Sequence, residues 1–278
     1  MQNGFYTVAG AMVTQFNRLD QISNNLANLN TNGYKEQNLV IGDFMRIYQQ
    51  KRDDLPLQNQ TKEAAKFLNR SINRVPHIVN EYNDFSMGPM KATGNPLDLA
   101  LGEKDLFFAV ETPAGVRLTR DGAFKLDEQG RVVTKEGYPV LSSGYFKSRQ
   151  PIYVPAEAVN LKIDASGRIE YMDQTALDTP VYVDRLMVVR VEDPESLKNE
   201  GGNLFTTEGG LKESELTIVT QTSAVRQGMI EKSNVNPVRQ MTELIETNRL
   251  VEMYQKAMNA QMDDLNSDAI NKLASVRA

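Results

Sequence analysis

One histidine and no cysteine limit the chemistry this sequence can attempt. A single imidazole, His77, excludes any two-histidine metal site and leaves one position for the usual general base. His77 follows Pro76 in a basic, polar stretch and reads as an exposed linker residue. Without a thiol, a nucleophile would have to be Ser, Thr or Lys, and no Gly-x-Ser-x-Gly elbow exposes a serine. No Gly-x-x-x-x-Gly-Lys-Ser/Thr loop cradles a phosphate either. Carboxylates are plentiful, and a glycosidase needs only two. Asp121, Asp127, Glu136 and Asp164 nevertheless stand at glycine-marked turns, where acidic residues are favoured for backbone reasons. Asp263, Asp264 and Asp268 lack the looped spacing of a calcium site. The expectation is a protein that is not an enzyme, with no catalytic, cofactor-binding or metal-ligating residues and no cofactor.

Charge and hydropathy narrow the partners. The net charge is −5, and residues 97–230 hold fifteen basic against twenty-one acidic side chains. No basic patch suits a nucleic acid. No apolar run approaches the length of a membrane span, so no membrane insertion is expected. Met1 to Phe16 lacks a basic start and a continuous apolar run, which argues against a cleaved signal peptide.

The elements that could position function lie at the two ends. Phe5, Val8, Met12, Gln15, Leu19, Ile22, Leu26 and Leu29 step alternately by three and four, with Gln15 the single polar member. Met241, Leu244, Asn248, Val251, Gln255, Met258, Met262 and Leu265 repeat the step near the other end. Such spacing keeps one stripe facing a partner helix and favours left-handed supercoiling. The apolar members of both stripes are therefore the candidate assembly interface. Packing of the two helices on each other or on the rest of the chain would use the same pattern.

Between the ends the period changes to that of strands. Runs from Leu97–Leu101 through Leu106–Thr112, Val116–Thr119, Tyr138–Leu141 and a long Val181–Val191 to Leu216–Thr220 are separated by Asp121-Gly122, Gln129-Gly130, Glu136-Gly137 and Ser166-Gly167. Short, closely spaced strands without intervening helices predict an antiparallel β fold. The whole is read as α+β: a segment 1–50 with the N-terminal helix, an extended connector 51–90 with one possible short helix at 61–73, a β-rich domain 91–230, and a C-terminal helix within 231–278. Asn28 to Gly33 should stop the first helix, and Pro237 should open the last.

Four blocks of this sequence together resemble the rod and hook family of bacterial flagellar axial proteins. They are Ile22–Asn28 with Thr31–Lys35; Thr93–Ala100 with Phe107–Val110; Leu118–Phe124 with Gly137–Leu141; and Ser233–Pro237 leading to Met241, Ile245, Glu246 and Arg249. After Arg249 the family has an aromatic residue and then an acid, where this chain has Val251 and Glu252; an aliphatic side chain still fills a seam. The resemblance implies a structural subunit of the basal-body rod. It further implies export without processing through the flagellar export apparatus, and polymerisation with neighbouring subunits of the same and related axial proteins. Its terminal helices would pair as a coiled coil around the channel, with the β domain outward, in a rod that transmits torque. The absence of a glycine-spaced insert near residues 46–65 favours the proximal over the distal rod type. The alternative from the residues alone is a soluble coiled-coil dimer displaying a β-rich ligand- or glycan-binding domain.

Overall fold

A computed structural model describes residues 2–43, 76–173, 176–207, 210, 216–219 and 225–275. The possible short helix at 61–73 and most of the expected connector fall outside these. The chain divides into a helical unit, residues 1–26, 37–81 and 237–278, and a β unit, residues 27–36 and 82–236. The β unit thus reaches beyond the 91–230 expected from the sequence, taking in a short N-terminal segment and the residues just before the last helix. The architecture is α+β, with a β-rich centre between two long helices.

In the helical unit, α1 spans Gln2–Ala27 and ends as the chain reaches the Asn-rich turn. The C-terminal helix spans Pro237–Ser275. Proline suits its first position because the missing N–H would have had no helical partner there. Part of the expected connector is a strand. β2 (Pro76–Asp84) pairs with β1 (Glu36–Asp43) as a two-stranded sheet.

The β unit is built on a six-stranded antiparallel sheet. Its strands are β5 (Leu106–Thr112), β6 (Gly115–Thr119), β12 (Val188–Arg190), β13 (Lys198–Gly201), β14 (Leu204–Thr206) and β15 (Thr217–Ile218), in the order β13-β14-β6-β5-β12-β15. β5 reads as a nearly continuous apolar run because both faces of this sheet are covered, so alternation is lost. Leu106, Phe108 and Val110 face one core cluster, with Phe124, Ile152, Ile169 and Val188. Phe107 and Ala109 face the other, with Leu118, Met187 and Phe205. Phe85, Phe107 and Phe205 meet there edge to face, with centroids 5.2–6.1 Å apart.

The single run expected at Val181–Val191 breaks into β11 (Ala176–Arg185) and β12. β11 belongs to a separate three-stranded sheet with β10 (Arg168–Asp173) and β9 (Ala158–Ile163), in the order β11-β10-β9. Leu186 and Met187, both fully buried, anchor the change of sheet in opposite cores. Pro180 is tolerated because β11 is an edge strand. Three short pairs complete the unit: β4 (Leu99–Leu101) with β16 (Val225–Gln227), β3 (Met90–Ala92) with β17 (Met229–Glu231), and β7 (Lys125–Leu126) with β8 (Val132–Val133).

Asp121-Gly122 departs from its expected role as a hairpin turn. A Cβ at Gly122 would lie 1.8 Å from the Leu99 carbonyl oxygen, so the glycine permits a close backbone crossing. Asp127 and Asp164 do serve turns, each in an Asp-x-x-Gly-Arg loop. Their carboxylates accept the N–H groups of Gln129 and Arg131, and of Ser166 and Arg168, at 2.8–3.0 Å.

Candidate functional site

Two features stand out, one in each unit. The first is a clasp of buried charge in the β unit. Glu231, 1% exposed, ends β17 and aims its carboxylate inward. One oxygen accepts Lys35 Nζ at 2.7 Å and the Gly88 N–H at 2.9 Å. The other accepts Arg120 Nε at 2.9 Å and Nη2 at 2.6 Å. Lys35 also donates to the Ser86 carbonyl at 2.7 Å. Arg120 Nη1 donates to the carbonyls of Glu103 and Leu106 at 2.6 and 2.5 Å, and its guanidinium lies 5.7 Å from the Phe107 ring centre. Two cations thus share one carboxylate, and main-chain carbonyls solvate the surplus positive charge. Burial holds the Lys35 ammonium below its ordinary pKa; Glu231 opposes that shift and Arg120 reinforces it.

Main chain and amides extend the clasp. Gly33 donates its N–H to the Glu231 carbonyl at 2.8 Å, and only glycine fits there. Its φ is +66°, and a Cβ would lie 2.4 Å from the Arg120 and Asp121 backbone. Asn234 accepts the Glu36 N–H at 2.8 Å while its amide nitrogen donates to the Asp84 carbonyl at 2.7 Å and the Ser86 hydroxyl at 3.0 Å. Lys232 Nζ reaches Asn32 Oδ1 at 2.8 Å. The buried Tyr34 phenol beside them is pushed up to about 12 by burial and by Glu36, against a hydrogen bond with Asn28.

The second feature is the pair of helical faces. Within the helical unit, Asn25 donates to Gln240 Oε1 at 3.4 Å, and Arg18 lies 3.9 Å from Glu243. The Asn25 side chain also closes on β1, exchanging hydrogen bonds of 2.9 and 3.0 Å with the main chain of Gln37. Along α1 the buried residues are Ala11, Thr14, Gln15, Ile22 and Asn25. Of the expected interface, Ile22 is therefore buried, while Val8, Met12, Leu19, Leu26 and Leu29 are half-buried. The Phe5 and Leu265 side chains lie outside the described residues.

Along the C-terminal helix, labelled α3 after the short α2 (Tyr145–Ser148), the described buried or half-buried residues include Glu243 and Leu250 beside one continuous stripe, Gln240, Leu244, Thr247, Val251, Tyr254, Met258 and Gln261. This stripe keeps the heptad step and shares Leu244, Val251 and Met258 with the expected seam. Its other members stand one residue before the expected ones. Met241 and Met262 accordingly remain 54% and 46% exposed, and Val238 and Ile245 join them at 73% and 54%. Polar residues thus occupy much of the inward stripe of both helices, and the Gln15 and Gln261 side-chain oxygens are buried there without a hydrogen bond.

No cluster of three or more His, Asp or Glu side chains able to hold a metal occurs among the described residues. Nor is any described helix long and apolar enough to cross a membrane. His77 has its side chain outside the described residues.

The comparisons fall on these same segments. Residues 5–35 match the family described as flagella basal body rod protein, residues 104–171 the flagellar hook protein FlgE/F/G D1 domain, and residues 226–272 the flagellar basal body rod FlgEFG protein C-terminal family. The flagellar basal-body rod protein FlgF of Mesorhizobium japonicum is 30% identical over 277 residues, covering 99% of each chain. This chain belongs to the flagellar basal-body rod proteins.

A second rod protein, FlgG of Borreliella burgdorferi, is 30% identical over 266 residues, covering 93% of this chain and 94% of its own. The flagellar hook-basal body complex protein FlhO of Bacillus subtilis is 29% identical over 290 residues, covering 99% and 100%. These relatives give the ligand-displaying dimer no support. The rod-family blocks containing Lys35 and Arg120 are far apart in the chain and converge on one carboxylate, Glu231, while Asn234 of the last block ties Glu36 to Asp84 and Ser86 beside it. The sequence alone marks Glu231 only as the start of a polar stretch.

Proposed function

We propose that this chain is a structural subunit of the flagellar basal-body rod. It joins neighbouring copies and related axial proteins through the apolar stripes of α1 and α3, which pair as a coiled coil in the assembled rod around the channel. The observation that carries this reading is the uncovered apolar stripe of α3, where Val238, Met241 and Ile245 are more than half exposed. Large apolar side chains spaced three and four apart on a helix, left in water, mark a face built for a partner. Burying each is worth roughly 1.5–3 kcal/mol, so several together offset the ordering of long helices.

The proximal type is favoured by FlgF of Caulobacter vibrioides and of Mesorhizobium japonicum, which align over 99% of this chain. The missing glycine-spaced insert near residues 46–65 agrees. In this reading the subunit leaves the cytoplasm unprocessed through the flagellar export apparatus and transmits torque as part of the periplasmic rod.

The test is replacement in cells lacking the native copy. Leu19→Asp and Leu26→Asp should each leave a soluble, folded subunit and abolish rods and filaments in electron micrographs of isolated basal bodies. Asn17→Asp, on the exposed face of α1, adds the same charge and should assemble. Normal rods with both seam variants would refute assembly through these stripes.

A further inference from the structure

The chain passes between the two units four times, after residues 26, 36, 81 and 236. Inside the β unit, the segments adjoining these crossings are tied directly to one another. Lys35 bridges Glu231 and the Ser86 carbonyl; Glu231 bridges Lys35 and the Gly88 N–H. Asn234 bridges Glu36 and Asp84. Main-chain bonds from Gly33 to Glu231 and from Lys232 to Pro89 lie alongside. The strands from β4 to β16 form a long excursion that begins and ends at this clasp.

We infer that the clasp is a mechanical tie. Force arriving along either terminal helix enters the β unit at residues 27 or 236 and crosses between the adjoining segments through Lys35, Glu231 and Asn234, without travelling through the strands of the excursion. The ties act in parallel, and those to Glu231 are charge-assisted and shielded from water, so they exchange slowly with solvent and must fail together. Arg120 fixes the clasp to the sheet through the Leu106 carbonyl. This inference rests on the rod-subunit reading, since a chain that transmits torque needs such a path. A cluster that only stabilised the fold would weaken the β unit equally in every direction when damaged.

The direction of pulling separates these. The sequence has no cysteine, so handles can be placed by substitution without background. One pair, Asn30→Cys with Asn236→Cys, loads the clasp; the other, Glu128→Cys with Glu195→Cys, loads the strands, and all four positions are exposed. In single-molecule force spectroscopy of the full chain, Glu231→Gln should lower the rupture force along the first axis by a larger fraction than along the second. Asn234→Asp removes the donors to Asp84 and Ser86 but keeps the acceptor for Glu36. It should show the same bias with a smaller loss, and it decides the matter should Glu231→Gln not fold. Equal fractional losses on both axes, or no loss on the clasp axis, would overturn the tie. The rod-subunit reading would then still stand or fall on whether the wild-type chain is found in isolated basal bodies.

Discussion

The clasp and the helical faces solve opposite problems with inverted materials. In the β unit, two cationic side chains and one carboxylate are removed from water, and main-chain carbonyls solvate the positive charge that the carboxylate does not balance. In the helical unit, uncharged polar side chains occupy much of the inward stripe, while methionine and aliphatic side chains remain open to solvent. A satisfied buried network specifies one arrangement and tolerates little change. An exposed apolar stripe contributes nothing to its own subunit and becomes stabilising only when something covers it. On the proposed assembly through the helical stripes, the comparison separates a region completed by folding from a region completed by association, and it predicts that mutations in the two will be read by different assays.

The largest expected effect is at the clasp. Glu231→Ala strands Lys35 and Arg120 without a counter-charge and should cost about 3–5 kcal/mol, the usual penalty for breaking a buried pair. Denaturant unfolding of the monomer would report it; a loss below about 1 kcal/mol would mean that water reaches the site.

Gly33→Ala should follow, at about 2–4 kcal/mol, combining a left-handed backbone with overlap against Arg120 and Asp121. The same melt should show Ala substituted at Gly94 costing less, since no atom lies within 4 Å of a Cβ there.

A smaller effect depends on pH. Burial pushes the Asp121 carboxyl up to about 6. The folded state therefore holds this proton more tightly than the unfolded chain. The associated stability is fully present below about pH 4 and is lost as pH rises to about 6, by on the order of 1–3 kcal/mol. Asp121→Asn keeps the acceptor for the Ala123 N–H and should flatten the stability profile between pH 4 and 6. An unchanged profile would place the titration elsewhere.

The smallest effect belongs to the surface. Arg190 pairs with Glu103 and Asp105 at 2.6 and 2.7 Å, but its side chain is 38% exposed. Arg190→Ala should cost less than about 1 kcal/mol by thermal melt.

Much of this division was legible in the residues. Period alone located both helices, and Gly130, Gly137 and Gly167 take the positive φ that turns require. The split of the Val181–Val191 run was not legible, because an apolar stretch buried on both sides carries no mark of where it changes sheets. The clasp was hidden for another reason. Glu231 meets Arg120 across 111 positions and Lys35 across 196, and a lone charge beside a turn looks the same whether solvated or buried. The register of α3 was half legible. Apolar identity points to Met241 and Met262, whereas burial in the single chain falls one residue earlier, on Gln240 and Gln261. That offset is expected where a sequence answers to a partner absent from its own fold.

The most direct test of that last point is a competition between subunits. Cells would carry the wild-type chain together with a tagged copy bearing Met241→Asp and Ile245→Asp, and mass spectrometry of isolated basal bodies would give the ratio incorporated. Both positions are exposed in the free chain, so the purified variant should keep the wild-type thermal transition while being excluded from the rod. Incorporation in proportion to its expression would contradict the assignment of this stripe to neighbouring subunits.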